Sequence, residues 1–151
     1  MNPVRIIGVG SPFGQDRLAW QVIESLEAAG IQDHFPPGRL SLHSSDRPGA
    51  ALLELMRGAE FVLIVDALQS GARAGTILCL NPDQLATTPG FISSHDFGVS
   101  AALELGLVLG DLPARVRVIA VEMDPGQSSS RPLPAALVQQ LHEVIINEIK
   151  S

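Results

Sequence analysis

The stretch Phe61-Val62-Leu63-Ile64-Val65-Asp66-Ala67 places five consecutive apolar residues directly before an acid. An unbroken apolar run of this length is typical of a strand that is buried on both faces of a parallel sheet. The β-branched run over residues 4–9 has the same character and stops at Gly10. The sequence therefore predicts a central sheet that is covered on both sides.

Helical patterns lie between the apolar runs. After Asp16, Leu18, Val22 and Leu26 recur every four residues, and Gly30 is expected to end this helix. The remaining patterns predict strands over 40–43, 76–80 and 115–121, and helices over 50–57, 97–109 and 134–149. This alternation predicts an α/β fold, a three-layer sandwich with a mostly parallel five-stranded sheet and helices on both faces. A single domain over residues 1–151 is expected.

Two strands are expected to depart from the simple parallel pattern. The short gap between 61–65 and 76–80 predicts a hairpin, with one strand antiparallel. The alternating charged and apolar residues of 115–121 predict an edge or half-exposed strand. On such sheets, ligands bind beyond the carboxyl ends of the strands.

Composition excludes several classes of partner. The chain has 151 residues and a net charge of −6, with no run of Lys or Arg, so neither nucleic acid nor an anionic membrane surface is expected as a partner. Its apolar runs fall short of the roughly 20 residues of a membrane-spanning helix, and the first residues do not form a secretory signal. A cytoplasmic location is expected. Cys79 is the single cysteine and is interpreted as a small buried hydrophobe.

A glycine-containing segment, Gly8-Val9-Gly10-Ser11-Pro12-Phe13-Gly14, follows the first strand. Glycines at this position let the chain turn sharply and leave backbone N–H groups facing a ligand. Two interpretations remain open, a nucleotide-binding loop and a tight turn that binds nothing. The G-x-G-x-x-x-G spacing and Pro12, which lacks an N–H donor, weaken the first. Gly8, Gly10 and Ser11 are the candidate ligand-binding residues.

Two acids and a histidine are the candidate metal ligands. Asp16 follows the first strand, Asp66 follows the third, and His95 precedes a predicted helix. Taken singly, Asp66 has a turn or helix-cap interpretation and His95 a purely structural one. If the three converge, two carboxylates and an imidazole suit a borderline cation such as Zn²⁺ or Ni²⁺. Open coordination positions would then be left for a substrate or water.

The same positions carry a family resemblance. The segments 8–16, 61–67 and Ile92-Ser93-Ser94-His95-Asp96-Phe97-Gly98 resemble the three sequence blocks of the nickel-iron hydrogenase maturation endopeptidases. The element order is also similar, down to Leu133-Pro134 before the last helix. The resemblance implies a cytoplasmic, monomeric enzyme. Such enzymes remove the C-terminal extension of the hydrogenase large-subunit precursor after nickel insertion.

The resemblance also implies roles for individual residues. Nickel already in the substrate would be contacted by Asp66 and His95, and zinc or cadmium could take its place in a crystal. Asp16 would be the third ligand or a base that orients water. No Ser-His-Asp or Cys-His pattern supports covalent catalysis. The alternative is a non-catalytic peptide- or metal-binding accessory protein on the same scaffold.

The chain departs from the family pattern at Arg17, which stands where the family has its ligand acid, and at Ser11, which replaces an asparagine. A guanidinium does not ligate a cation and repels one nearby. Three interpretations follow. Asp16 takes over as ligand, or Asp46 or Asp96 completes the site, or the site has lost catalysis and only binds.

Overall fold

A computed structural model describes residues 3–10, 17–46, 50–88, 99–124 and 132–151. Within these ranges the helices and strands follow the predicted order. The elements are β1 (Val4–Gly10), α1 (Leu18–Ala28), β2 (Leu40–Asp46), α2 (Ala50–Met56), β3 (Phe61–Leu68), β4 (Ile77–Leu80), α3 (Val99–Leu109), β5 (Arg115–Glu122) and α4 (Ala135–Lys150). Short 3₁₀ helices cover Ile31–His34 and Pro82–Thr87.

The strands form one five-stranded sheet with the order β2-β1-β3-β5-β4. β1 pairs in parallel with β2 and β3, β3 pairs in parallel with β5, and β4 is antiparallel to β5. The predicted, mostly parallel α/β sheet is therefore confirmed. The strand order reverses between β1 and β3, which is where sheets of this kind open a crevice at their carboxyl edge.

The predicted hairpin is wrong, and so is the predicted edge position of residues 115–121. β4 pairs with β5 instead of β3, and β5 lies inside the sheet. Pairing β3 with β5 aligns eight residues of each strand, whereas β4 has only four residues to offer. The alternation of exposed and buried residues is confined to the first part of β5, since all residues from Val118 to Glu122 are buried.

Helices cover both faces of the sheet, as predicted. α1 and α4 pack on one face, against Leu63 and Val65 of β3. The other face carries α2 and α3, which pack on Val62 and Ile64. The buried residues of α1 and α4 repeat with helical spacing: Ala19, Val22, Ile23 and Leu26 in α1, and Leu137, Leu141, Ile145 and Ile149 in α4. The three-layer arrangement follows from these two separate cores.

Two glycines fix the position of α1. Gly30 has a φ of +68° and ends the helix, as the sequence predicts. Gly8 lies within β1, and a Cβ there would stand 2.6 Å from Ile23 Cγ1 and 2.8 Å from the carbonyl oxygen of Ala19. Because Gly8 has no side chain, α1 packs directly on β1.

The length and apolar character of the helices decide whether one of them could cross a membrane. Even α4, with 16 residues, is amphipathic, since one side of it faces the core. Of the helices in the described ranges, none is long and apolar enough to cross a membrane.

Candidate functional site

Four parallel strands end at the same edge of the sheet. β1 ends at Gly10 opposite Asp46, the last residue of β2, and β3 ends at Leu68 opposite Glu122, the last residue of β5. Asp66 lies near the end of β3, between β1 and β5 in the sheet. This carboxyl edge therefore carries three acids from three strands.

Asp66 is the buried acid at the centre of this edge. It is 2% exposed, and its Oδ1 accepts the N–H of Ala67 at 2.9 Å. β3 continues through Asp66 to Leu68, so the predicted strand end at Val65 is wrong: Ala67 and Leu68 are buried and continue the pairing with β5. Burying a carboxylate is costly unless hydrogen bonds or opposite charge compensate. The hydrogen bond from Ala67 supplies part of that compensation.

Strand alternation shows on which face Asp66 lies. Side chains of a strand point to opposite faces in turn, so Asp66 shares the face of Val62 and Ile64. α3 packs on that face, and α3 begins at Val99, shortly after His95 in the chain. Asp16 and His95 themselves lie outside the described residues, and their convergence with Asp66 stays a prediction.

The other residues that the sequence predicts for the site are either exposed, buried in β1 or outside the described residues. Arg17 directly precedes α1, is exposed and makes no side-chain capping bond. Asp46 is exposed at the end of β2. Gly8 and Gly10 are buried in β1, and α1 occupies the space beside Gly8. Ser11 and Asp96 lie outside the described residues, so the roles proposed for them remain predictions.

Within the described ranges, no group of three His, Cys, Asp or Glu side chains is placed to hold a metal ion. Two of the three predicted ligands, Asp16 and His95, are outside those ranges. The predicted ligand set therefore remains untested by the geometry.

Sequence reasoning missed Glu122, a second buried acid at this edge. Glu122 is 2% exposed, and its carboxylate accepts the backbone N–H of Ser70 at 2.9 and 3.2 Å as well as the Ser70 hydroxyl. Like Asp66, it follows an apolar run, here Val118–Val121. The same signal that singled out Asp66 would have found it.

Cys79 is only half-buried, and charged groups surround it. Arg117 Nη2 donates to the Cys79 Sγ at 3.0 Å, and the Sγ donates to Glu148 Oε1 at 3.1 Å. Burial raises the pKa of the Cys79 thiol, and the hydrogen bond from Arg117 opposes this shift. The thiol is thus kept protonated, in keeping with a structural role. The sequence could not show these partners because β5 and α4 supply them.

The comparison with protein families confirms the resemblance noted in the sequence. The model of the hydrogenase maturation protease family (HycI) matches residues 47–149. The chain therefore belongs to the hydrogenase maturation protease family. The matched region includes β3 with Asp66, the segment of His95, β5 and nearly all of α4.

Two curated relatives are similar over most of the chain. The hydrogenase expression/formation protein HupD of Rhodobacter capsulatus is 22% identical over 98% of this chain and 71% of its own length. HupD of Thiocapsa roseopersicina is 24% identical over 85% of this chain and 59% of its own length. The second relative extends well beyond the part that this chain matches.

Solved structures of similar fold include maturation endopeptidases from bacteria and archaea. The hydrogenase maturating endopeptidase HybD of Escherichia coli has a TM-score of 0.68 at 20% identity, covering 97% of this chain and 89% of its own. The [NiFe] hydrogenase maturation protease HybD of Thermococcus kodakarensis also has a TM-score of 0.68, at 16% identity over 96% and 97% of the two chains. At these identities the likeness establishes the fold.

Proposed function

We propose that this protein is the endopeptidase that removes the C-terminal extension of a nickel-iron hydrogenase large-subunit precursor once nickel has been inserted. We propose further that it acts as a cytoplasmic monomer. Membership of the maturation protease family supports the reaction class. The observation that carries the proposal is the buried carboxylate of Asp66, in a central strand at the ligand-binding edge of the sheet.

In this proposal the nickel ion belongs to the substrate. The Asp66 carboxylate and the His95 imidazole contact it, because both are donors that a borderline divalent cation accepts. A buried carboxylate attracts a cation more strongly than an exposed one, since water and salt screen it less. Asp66 is therefore the acid best suited to recognise whether the precursor carries nickel.

Cleavage requires a water molecule to attack the scissile carbonyl carbon. The C–N bond then breaks, and the departing amine takes up a proton. We assign Asp16 to this step, as a third nickel contact or as the base that orients the water. The nickel ion of the substrate would polarise the carbonyl. Arg17 is exposed at the start of α1, so we assign it no contact with the ion.

The proposal is tested by incubating the purified protein with nickel-loaded precursor and measuring the released extension by mass spectrometry. Asp66→Asn and His95→Gln are each expected to lower kcat/KM at least about a hundredfold, because each removes a contact to the ion. Asp111→Asn is the matched control: Asp111 pairs with Arg57 at 2.9 Å, at the end of α3 farthest from this edge. It should leave cleavage unchanged.

Other outcomes separate the alternatives. Full cleavage by Asp66→Asn, with its fold intact by circular dichroism, would contradict the role of Asp66. Stable binding of the precursor without any product would favour the non-catalytic accessory protein instead.

A further inference from the structure

A groove opens at the carboxyl edge on the side of α1 and α4. Its volume is about 610 Å³, within the range of roughly 300–1,000 Å³ typical of clefts that enclose a drug-sized ligand. Leu18, Leu133 and Leu137 supply its apolar lining, and Arg73, Glu122 and Asp124 its charged lining. We call it the α4 groove. Its size and mixed lining suit a short peptide segment.

Hydrogen bonds to β5 fix the turn over residues 70–76, which carries Arg73. The buried carboxylate of Glu122 holds the N–H and hydroxyl of Ser70 at the start of this turn. At its end, Gly75 N donates to the Glu122 carbonyl oxygen and Glu122 N donates to the Thr76 oxygen, both at 2.8 Å. Glu122 thereby positions the turn from both ends. Arg73 is held beside the α4 groove by a preformed backbone.

The α4 groove lies at the same carboxyl edge as Asp66, on the opposite face of the sheet. Leu18 stands in the first turn of α1, two positions after Asp16 in the chain. Glu122 ends β5, the direct neighbour of β3, and adjacent strands lie about 4.8 Å apart. An extended chain advances about 3.3 Å per residue, so a segment of a few residues can cross this edge from the face of Asp66 to the groove.

Of the three charged residues that line the groove, Glu122 is buried and bonded to Ser70, while Arg73 and Asp124 are exposed. Arg73 is exposed, and in the part of the chain that the structure describes no ion pair engages its guanidinium. It is one of ten basic residues in a protein of net charge −6. A guanidinium suits a carboxylate above all, because two N–H groups can bind its two oxygens. Any C-terminal extension carries at least one carboxylate, at its own end.

We propose that the α4 groove binds the C-terminal extension of the precursor. Apolar side chains of the extension pack on Leu18, Leu133 and Leu137, and a carboxylate of the extension pairs with Arg73. This inference rests on the proposed function and adds to it a recognition site for the segment that is removed. Arg73 is then a specificity-determining residue.

Steady-state kinetics with nickel-loaded precursor test this directly. Arg73→Ala is expected to raise KM about tenfold to a hundredfold, the value of a hydrogen bond to a charged group, and to change kcat by less than about twofold. Arg73→Lys should recover part of the loss. Lys150→Ala is the control, since it removes an equal charge at the exposed far end of α4. It should leave KM unchanged.

A synthetic peptide of the extension identifies the carboxylate. As a competitor it should inhibit cleavage by the wild type and inhibit the Arg73→Ala variant about tenfold more weakly. If the terminal carboxylate is the partner, a C-terminally amidated peptide loses the same factor. If an acidic side chain is the partner, the amidated peptide inhibits fully, and replacing that side chain with alanine causes the loss.

The failure of this inference differs from the failure of the proposed function. An Arg73→Ala enzyme with wild-type KM and wild-type inhibition by the peptide overturns the inference, while cleavage that depends on Asp66 still supports the endopeptidase. If the wild type cleaves nothing, the endopeptidase proposal fails. Calorimetry then decides about the groove: peptide binding weakened by Arg73→Ala, with Lys150→Ala unaffected, supports it, and no binding to the wild type overturns it.

Discussion

Gly8 is a position in β1 at which α1 packs closely on the sheet. The contacts that a Cβ would make at Gly8 include the backbone oxygen of Ala19, which cannot move without moving α1. The place where α1 starts, beside the α4 groove, thus depends on the absence of a side chain at Gly8 in β1. A glycine that the sequence suggests as a ligand contact also has this packing role.

Replacing Gly8 with alanine is expected to lower the free energy of unfolding by about 3 kcal/mol, the upper range for forcing atoms into a packed core. Gly71→Ala is the comparison. No atom lies within 4 Å of a Cβ there, and its φ of +91° leaves only the backbone preference, about 1–2 kcal/mol. Urea unfolding measures both. Equal losses would show that the contact with α1 is not what makes Gly8 necessary.

At the level of residues, the sequence indicates which side chains could do chemistry better than it indicates which groups surround them. An acid after an apolar run is a local pattern, so Asp66 could be singled out and Glu122 could have been. The partners of a side chain are not local. Ser70 follows β3 and contacts Glu122 at the end of the neighbouring β5, and Arg117 of β5 contacts Cys79 of β4. No spacing in the sequence encodes such contacts.

Among the elements, α4 shows most clearly how a periodic pattern becomes a packed face. Leu141 is fully buried between the sheet and α1, whereas Leu107, near the end of α3, is 72% exposed. Leu141→Ala is expected to cost about 3 kcal/mol of stability, because it removes buried surface and leaves a cavity. Leu107→Ala should change stability by less than about 0.5 kcal/mol. Thermal unfolding of both variants checks this, and a small effect at Leu141 would contradict the described core.

The same contrast explains which elements could be predicted. Helices with a clear apolar spacing are predicted nearly to their ends because that spacing reflects local geometry, whereas β2 and β3 each extend three residues beyond the predicted 40–43 and 61–65. The neighbours of β4 and β5 in the sheet were predicted wrongly. Strand order depends on how much surface two segments that are distant in the chain bury against each other. The local sequence pattern carries no information about that buried surface.

For the whole molecule, two half-buried histidines couple stability to pH. Burial lowers the pKa of His43, with nearby Arg5 adding to the shift, and burial alone lowers the pKa of His142. The unfolded chain, with an ordinary histidine pKa of 6.5, therefore binds protons at a higher pH than the folded protein does. The contribution of these groups to stability is complete above this value and falls as the pH drops toward the folded pKa.

Urea unfolding between about pH 8 and about pH 5.5 should show this loss in the wild type. The double variant His43→Gln, His142→Gln should lose less stability over the same range. His34→Gln removes an exposed histidine and should behave as the wild type does. An identical pH dependence in the double variant would assign the effect to other groups.

The position of β4 at the end of the sheet has a consequence for how the chain folds during synthesis. β4 leaves the ribosome before β5, yet β5 is its sole partner in the described sheet. Until residues 115–122 have emerged, the edge of β3 that β5 will occupy is open, and β4 is the nearest segment able to fill it. A nascent chain must keep that edge vacant, or undo a premature hairpin, before the sheet can close.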